Sequence, residues 1–256
     1  MTGEIKKFEE DLKDCLFENK FEKCTILILH VKLKSLKKYY NVPYDILAKK
    51  ILELLALTKP KNIIVPSFTY SFTNNKPFDK ANSISEVGLF SEIFRLQYSK
   101  HRTNDPIFSF CHNKTVKKEY DNVNFNTAFT TNSIWDYFYN KNVTILNIGL
   151  DHLVVSLIHY LEFIYKVPYR KLIKIKGTVI SEKKKKNLTY DFYAREKNCI
   201  YALDWHKIES DLINNNIMKI NSKKILNFKC IRTLELSKFV EYKIKENPYY
   251  LVKKII

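Results

Sequence analysis

The spacing of apolar residues changes along the chain, and each change marks a predicted helix or strand. Apolar residues that recur every three or four positions predict amphipathic helices, whereas uninterrupted β-branched runs predict buried strands. The predicted helices cover residues 4–22, 44–57, 85–97, 154–165 and 204–214. The predicted strands cover residues 24–31, 62–65, 142–148, 172–175 and 188–193. Strand, helix and strand follow one another within residues 24–65, so we expect an α/β fold of mixed β-sheets with flanking helices.

The pattern changes beyond residue 171, where short strand-like pieces dominate. A chain of 256 residues is long enough to bury a sizeable core. We expect one domain over residues 1–256, in which residues from about 171 to 256 form a smaller, β-rich C-terminal part. The lysine run at 183–186 is predicted to lie in a solvated hairpin turn.

Composition excludes several classes of protein. With 4 glycines and 7 prolines, the chain does not favour Gly-rich phosphate loops or low-complexity structure. No apolar run approaches the roughly 20 residues of a membrane helix, and residues 1–20 lack the apolar centre of a secretory leader. We therefore expect a soluble, cytoplasmic protein that has no membrane partner.

The cysteines do not form a recognisable motif. They are Cys15, Cys24, Cys111, Cys199 and Cys230. None forms a C-x-x-C pair, and no Cys/His set has the spacing of a zinc finger. The sequence therefore predicts reduced, mostly buried thiols and no bound metal.

The net charge is strongly positive. Lys and Arg total 44 against 27 Asp and Glu, which gives a formal charge of +17. Such a surplus suits nucleic acid, a membrane surface or an anionic small molecule. A chain rich in Lys, Asn and Ile is also typical of an AT-rich genome, which raises the lysine count with no function attached. In either case a basic protein is a poor electrostatic host for a polycationic ligand.

Few histidines are candidates for chemistry. Ser156, His159 and Glu162 are spaced at i, i+3 and i+6, so a helix would place them on one face. A carboxylate beside an imidazole raises its basicity and fixes its tautomer, as a general base requires. From the spacing alone, a structural hydrogen bond is the simpler interpretation. His30 ends a predicted strand, whereas His101, His112 and His206 are predicted to lie at the surface.

Four segments, in order, resemble the aminoglycoside 3-N-acetyltransferase family over roughly residues 24–180. The first is the strand that precedes His30 and Ser35. The second comprises Pro66–Phe72, Phe78-Asp79 and Ser85–Gly88, and it continues through Glu92, Phe94 and Arg95. The third is Arg102–Pro106 with Ser109, and the fourth is the strand at 143–149 followed by His159-Tyr160-x-Glu162 and Val167–Arg170. We therefore expect the fold of this family.

The resemblance implies transfer of an acyl group from a coenzyme A thioester to an amine, with His159 as general base and Glu162 as its support. Hydroxyl or backbone donors at Ser67, Thr69 or Ser156 would stabilise the oxyanion. The implied coenzyme-binding residues are His30, Lys32, Lys34, Ser35, Arg102 and Ser109, although Lys32 and Lys34 fit plain surface charge equally well. The implied acceptor-binding residues are Ser67, Phe68, Thr69, Tyr70 and Asp79.

Some positions depart from the usual pattern of this family. Asp105 stands where the family usually has His, and Thr103 where it has Ser. Ser156 replaces a Thr that resistance enzymes often carry. The Val-Pro-Tyr-Arg segment at 167–170 is more similar to family members found with surface-polysaccharide genes than to resistance enzymes.

The charge then favours one acceptor over another. Aminoglycosides are polycations, whereas a chain of +17 suits coenzyme A and an acceptor that carries phosphates. Our main hypothesis is N-acylation of a nucleotide-linked amino sugar, with dTDP as the expected nucleotide, for lipopolysaccharide or another surface glycan. The alternative is aminoglycoside acetylation and antibiotic resistance. A lesser alternative is a basic nucleic-acid-binding protein without catalysis. We expect a monomer or a small homo-oligomer.

Overall fold

The chain alternates helices and strands over most of its length. The computed structural model describes residues 2–18, 26–115, 120, 122–196, 198–221 and 224–255. The helices are α1 (Thr2–Glu18), α2 (Leu33–Tyr40), α3 (Tyr44–Leu57), α4 (Leu89–Ile93), α5 (Ile134–Lys141), α6 (Ile158–Ile164), α7 (Trp205–Asn214) and α8 (Thr233–Glu246). The first strands are β1 (Ile26–Val31), β2 (Asn62–Pro66), β3 (Phe78–Asp79), β4 (His101–Arg102), β5 (Phe110–His112), β6 (Thr127–Ala128) and β7 (Thr144–Ile148). The remaining strands are β8 (Arg170–Ser181), β9 (Lys184–Arg195), β10 (Tyr201–Leu203), β11 (Lys219–Ile220), β12 (Lys229–Arg232) and β13 (Val252–Lys254).

A seven-stranded mixed sheet lies at the centre of the fold, in the order β11-β12-β7-β1-β2-β5-β4. Strand β1 pairs in parallel with both β2 and β7. Strands β5 and β12 pair antiparallel with their neighbours in the sheet. The predicted α/β fold with mixed sheets and flanking helices is confirmed, and the β1–β2 pairing is parallel, as the strand–helix–strand order requires.

The central sheet is covered on both faces because alternate side chains of each strand point in opposite directions. Leu27 and Leu29 of β1 belong to a core that they share with apolar residues of α1, α2 and α3. Ile26 and Ile28 belong to a second core with α5, α6 and α8, which is rich in aromatic side chains. This second face is where the candidate site is built.

A smaller sheet, in the order β3-β8-β9-β6, packs against that aromatic core. Its centre is the long antiparallel hairpin of β8 and β9, paired from Arg170 opposite Arg195 to Ser181 opposite Lys184. The hairpin turns at Glu182 and Lys183, both with positive φ. A hairpin turn was predicted at 183–186, but only Lys183 of that run lies in the turn, and residues 184–186 begin β9. The predicted short strands at 172–175 and 188–193 are parts of these two twelve-residue strands.

The strands that follow β9 are divided between the central sheet and a separate two-stranded sheet. Strands β11 and β12 extend the central sheet, whereas β10 and β13 form a separate antiparallel pair. The division of the chain into a main part and a smaller β-rich part stays a prediction. In the described part of the chain, no helix has both the length and the apolar character needed to span a membrane.

Several helices and strands begin or end at residues other than the predicted ones. The first helix ends at Glu18, and the part of the prediction at 19–22 lies outside the described residues, as does Cys24 at the start of the first predicted strand. Helix α6 begins at Ile158 instead of at residue 154. The predicted helix at 85–97 is the short α4 followed by a π-helical turn, Phe94–Tyr98. Helices α2, α5 and α8 were not predicted.

The prediction that His112 lies at the surface is wrong. The side chain of His112 is fully buried. Its Nδ1 lies 3.1 Å from Asn62 Nδ2, and burial lowers its pKa to about 3, so the ring is neutral. The strand that carries His112 has only three residues, which is too few for the alternation of polar and apolar residues to distinguish a buried position from an exposed one.

Candidate active site

His159 and Glu162 form a hydrogen-bonded pair on α6. The i, i+3 spacing places both side chains on one face of the helix, and His159 Nδ1 lies 2.7 Å from Glu162 Oε2. The side chain of Glu162 is fully buried, whereas that of His159 is 22% exposed. The ring of His159 also meets the ring of Phe129 edge to face, with centroids 5.1 Å apart. The imidazole is therefore fixed in place but accessible from one side.

Arg170, the first residue of β8, completes the support of the pair. Its Nε lies 2.6 Å from Glu162 Oε2 and its Nη2 lies 2.9 Å from His159 Nδ1. Burial alone would raise the pKa of Glu162, but His159 and Arg170 outweigh it and hold the pKa below its ordinary value. Tyr169 lowers the pKa of the same carboxylate further. Glu162 is thus a buried, ionised carboxylate.

The ionised carboxylate determines the tautomer of His159. Glu162 Oε2 can only accept a hydrogen bond and Arg170 Nη2 can only donate one, so Nδ1 cannot bond to both. The carboxylate makes the shorter contact, 2.7 Å against 2.9 Å, and we assign the proton to Nδ1, which leaves Nε2 as the basic nitrogen. Burial lowers the pKa of His159 below its ordinary value, and Glu162 offsets that effect only in part. The imidazole is therefore neutral near pH 7 and able to accept a proton.

A cavity of about 710 Å³ opens at His159. Ser156, in the turn before α6, lines it, and so does His30 at the end of β1. Burial lowers the pKa of His30 to about 4, so this imidazole is neutral too. Much of the remaining wall is aromatic and comes from the Ser67–Asp79 and Phe108 segments and from β9. The cavity combines one supported base with an apolar wall.

The loop between β7 and α6 is held by backbone geometry. Gly149 ends the strand with φ +78°, and a Cβ at this position would lie 2.9 Å from the backbone oxygen of Lys32. Asn147 is fully buried and bonds both backbone groups of Val154: its Oδ1 accepts from the amide at 2.7 Å, and its Nδ2 donates to the carbonyl at 3.1 Å. These contacts set the entry of the chain into α6.

A second pair of side chains holds the same loop from the C-terminal region. Lys229 of β12 is buried and donates to the carbonyl of Leu150 at 3.0 Å. Glu209 of α7 accepts from the amide of Leu153 at 2.7 Å and lies 3.3 Å from Lys229 Nζ. The loop before His159 is thus tied to elements distant in sequence.

A family model described as aminoglycoside 3-N-acetyltransferase matches residues 28–245. The chain belongs to the aminoglycoside 3-N-acetyltransferase family. The resemblance that the sequence motifs indicated is therefore confirmed, and so is the expected enzyme class, an acyl-CoA-dependent N-acyltransferase. Acetyl-CoA is the co-substrate of this family. No curated protein matches the chain in sequence.

Solved structures of the aminoglycoside 3-N-acetyltransferase fold are similar over nearly the whole chain. AAC-IIIb in a binary complex with coenzyme A matches with a TM-score of 0.76 at 11% identity, over 93% of this chain and 96% of that one. AAC(3)-IVa without ligand matches at 0.72 and 19% identity, over 95% and 90%. The YokD protein from Bacillus subtilis matches at 0.71 and 17% identity, over 93% and 99%. At these identities the matches show a shared fold.

Within this family member, five of the predicted site residues meet in the cavity lining. They are His30, Phe68, Tyr70, Ser156 and His159. Glu162 lies directly behind His159, through the hydrogen bond from Nδ1. Ser156 is in the turn before the helix instead of on it, so the predicted three-residue face reduces to a helical pair and a neighbouring hydroxyl.

Lys32 and Lys34 line a neighbouring groove of about 410 Å³. This groove shares Val31, Val87 and Leu150 with the central cavity, so the two spaces lie side by side. Both lysines are exposed, and Lys32 forms an ion pair with Asp151. Ser35 lies one turn further on, in α2, and lines neither space.

Arg102 and Ser109 lie behind the cavity wall. The guanidinium of Arg102 is buried and donates to the carbonyls of Ser67 and Ser83, at 2.9 and 2.5 Å, and to Ser109 Oγ at 3.0 Å. Ser109 Oγ in turn donates to the Ser67 carbonyl at 2.7 Å. These donors therefore serve the protein backbone, and neither side chain lines the cavity.

Three predicted acceptor residues also serve local structure. Ser67 and Thr69 are buried, and Thr69 Oγ1 donates to Glu86 at 2.8 Å. The carboxylate of Asp79 accepts from the side-chain amide of Asn82 and from the backbone amides of Ala81 and Asn82, and these hydrogen bonds lower its pKa. None of the three lines the cavity. The Ser67 carbonyl, the Thr69 hydroxyl and the Asp79 carboxylate shape the loop that presents Phe68 and Tyr70.

Sequence reasoning missed several residues of the site. Arg170, Arg195 and Cys199 line the cavity, and Ser91 adds a hydroxyl to it. Arg170 stood in the Val-Pro-Tyr-Arg segment, so the family motif offered a way to find it. Arg195 carries no such mark, because only the pairing of β8 with β9 places it opposite Arg170.

Proposed function

We propose that this chain transfers an acetyl group from acetyl-CoA to a primary amine of an amino sugar, with His159 as the general base. The observation that carries the proposal is the buried Glu162 carboxylate on His159 Nδ1 at 2.7 Å, which leaves Nε2 as the basic nitrogen beside the cavity. A nucleic-acid-binding protein would not require an accessible, carboxylate-supported imidazole.

His159 takes the proton that the attacking amine must lose. As Nε2 accepts it, positive charge develops on the ring, and the Glu162 carboxylate stabilises that charge through Nδ1–H. Because burial lowers the pKa of His159, the ring is neutral before the reaction and gives up the proton readily afterwards. The C–N bond would form as the C–S bond of the thioester breaks, and His159 would pass the proton to the departing coenzyme A thiolate, which leaves as the free thiol. Ser156 and Ser91 are hydroxyl donors in the lining that can serve the oxyanion.

The groove with Lys32 and Lys34 fits the donor substrate. A pantetheine arm is thin and largely apolar and ends in phosphates, and the groove has an apolar wall formed by Val31 and Leu89 with two ammonium groups beside it. It borders the central cavity at Val31 and Leu150. Bound there, coenzyme A would supply the acyl thioester, and the chain would hold it against His159.

Two acceptor classes have support. An aminoglycoside is favoured by relatives of the same fold: AAC(3)-IVa mutants were solved with a gentamicin and with apramycin, and AAC-VIa with sisomicin. A nucleotide-linked amino sugar for a surface glycan, with dTDP as the nucleotide, is favoured by the charge of the cavity. Among its described lining residues, Arg195 and Arg170 are cationic, of which Arg170 is paired with the buried Glu162, and the single carboxylate, Glu196, lies 2.6 Å from Lys171 Nζ.

The test is thiol release from acetyl-CoA with dTDP-linked amino sugars and kanamycin-type aminoglycosides offered in parallel. We expect His159→Asn to lower turnover by about 10²–10⁴-fold, the contribution of a positioned base. His206→Asn is the matched control, because His206 is exposed on α7 and lies outside the cavity. Wild-type turnover identifies the acceptor. Undiminished turnover in His159→Asn would refute the base assignment.

A further inference from the structure

A second pocket, of about 300 Å³, opens beside the central cavity. It shares Arg170, Glu196 and Cys199 with that cavity, so the two spaces lie side by side. Its other walls include three tyrosines, Tyr169, Tyr201 and Tyr249. We call it the tyrosine pocket. His159 and Glu162 are not among the described residues that line this pocket, and Tyr169 in its wall is a neighbour of Glu162.

The three rings form a continuous aromatic wall. Tyr201 and Tyr249 have ring centroids 5.0 Å apart, and Tyr169 lies 6.1 Å from Tyr201 and 5.9 Å from Tyr249. The ring planes are tilted by 38–44° to one another. Tyr169 is buried, and Tyr249 is 39% exposed. Such a wall offers ring faces to a flat ligand.

The tyrosine pocket and the lysine-lined groove join the central cavity through different residues. The groove shares Val31, Val87 and Leu150 with it, whereas the pocket shares Arg170, Glu196 and Cys199. If the groove takes the donor, the pocket is left for the acceptor. Arg170 lines the pocket and also lies 2.9 Å from His159 Nδ1, so one side chain connects the base to the pocket.

The charges beside the rings suit a linked phosphate. Arg195 lines the central cavity next to the pocket, and Lys171 lies in the pocket wall. Lys171 pairs with Glu196 at 2.6 Å, but both side chains are more than half exposed, so the pair is weak and open to exchange. A ring-lined pocket with nearby cations is the combination that binds bases and their phosphates.

We propose that the tyrosine pocket binds the nucleobase of a nucleoside-diphosphate-linked acceptor, whose amine then lies at His159. This inference rests on the proposed function and makes its acceptor specific. Coenzyme A also carries a nucleobase on a diphosphate, so the test separates the two sources. The pocket would place the acceptor base beside Tyr249, the most exposed of the three rings.

The test measures binding of dTDP, UDP and coenzyme A by calorimetry to wild-type protein and to variants of Tyr249. Tyr249→Ala and Tyr249→Leu remove the ring face, and the second keeps an apolar side chain if the first fails to fold. Tyr249→Phe keeps the face. Tyr242→Ala is the matched control, since Tyr242 is 58% exposed on α8 and lies outside the described walls of the pocket.

We expect Tyr249→Ala and Tyr249→Leu to weaken dTDP or UDP binding by at least about fivefold, as the loss of one stacking ring implies. Phe at position 249 and Ala at position 242 should bind within about twofold of wild type. Loss confined to coenzyme A would assign the pocket to the donor base and overturn the proposal. Absence of nucleotide binding to wild type would overturn it as well.

Activity measurements distinguish this inference from the proposed function. In the acetyl-transfer assay, Tyr249→Leu should raise KM for a nucleotide-linked acceptor more than it lowers kcat, because Tyr249 lies away from the base. Nucleotide binding that depends on Tyr249, without acetyl transfer, would support the pocket and refute the proposed reaction. Acetyl transfer to an aminoglycoside, with no nucleotide binding, would support the reaction and refute the pocket.

Discussion

Replacing Glu162 with Gln tests the support of His159 directly. The side chain keeps its shape but loses the charge that lies 2.7 Å from His159 Nδ1 and 2.6 Å from Arg170 Nε. A hydrogen bond to a charged group contributes about 1.5–3 kcal/mol. If the transition state, in which His159 becomes cationic, loses this contribution, kcat/KM should fall about 10- to 100-fold.

The pH dependence of the same variant has a definite sign. His159 must be neutral to act, so kcat/KM rises with pH through its pKa. In the wild type, burial lowers that pKa and Glu162 raises it part of the way back. The Glu162→Gln substitution would remove the part that raises it, and Arg170 and Arg195 would then repel the protonated ring without opposition. In a plot of kcat/KM against pH, the rise on the acid side should therefore move to lower pH, and the maximal kcat/KM at higher pH should fall.

The assay is thiol release from acetyl-CoA between pH 4.5 and 8, at a temperature where circular dichroism shows both proteins folded. Glu53→Gln is the matched control, because it makes the same change in a half-exposed ion pair with Lys50. An acid limb that moves to higher pH, or a plateau within about twofold of wild type, would refute the reasoning about the His159–Glu162 pair.

Two further predictions concern stability. Asn147→Ala removes both hydrogen bonds to Val154 and should lower the free energy of unfolding by about 2–4 kcal/mol in urea titrations; a loss below about 0.5 kcal/mol would contradict the role given to Asn147. Burial raises the pKa of Asp105 from 3.8 to about 7. The pKa of Asp105 is therefore higher in the folded protein than in the unfolded chain. Its contribution to the free energy of unfolding is fully present below pH 4 and is lost as pH rises through 7, by up to about 4 kcal/mol. Asp105→Asn should abolish that part of the pH dependence of the free energy of unfolding. Parallel plots of this free energy against pH for the wild type and the variant would refute the prediction.

Local periodicity predicted the elements that carry the catalytic pair. Uninterrupted apolar runs identified β1, β2 and β7 with bounds within two residues of those in the structure, and helical spacing identified α3 with the same bounds as in the structure. Helix α2 was missed because it begins two residues after β1 and is rich in lysine, so no turn residue separates the two elements. The hydrogen bond between His159 and Glu162 followed from their spacing alone.

Contacts between distant segments could not be read from spacing. Arg170 reaches Glu162 because the hairpin of β8 and β9 packs beside α6. Arg102 was expected near the coenzyme, but carbonyls at Ser67 and Ser83, 35 and 19 residues away, take its donors. A buried arginine and a ligand-binding arginine have the same appearance in sequence, and only the packing around each distinguishes them.

The hairpin of β8 and β9 also has a practical consequence. Its two strands begin and end at the cavity, with Arg170 and Arg195, and run twelve residues to the lysine-rich turn at Glu182 and Lys183. At about 3.3 Å per residue, the turn lies roughly 35–40 Å along the strands from the catalytic end. An epitope or fluorophore inserted there, or attachment to a solid support through that turn, should leave the cavity facing outward and open to both substrates.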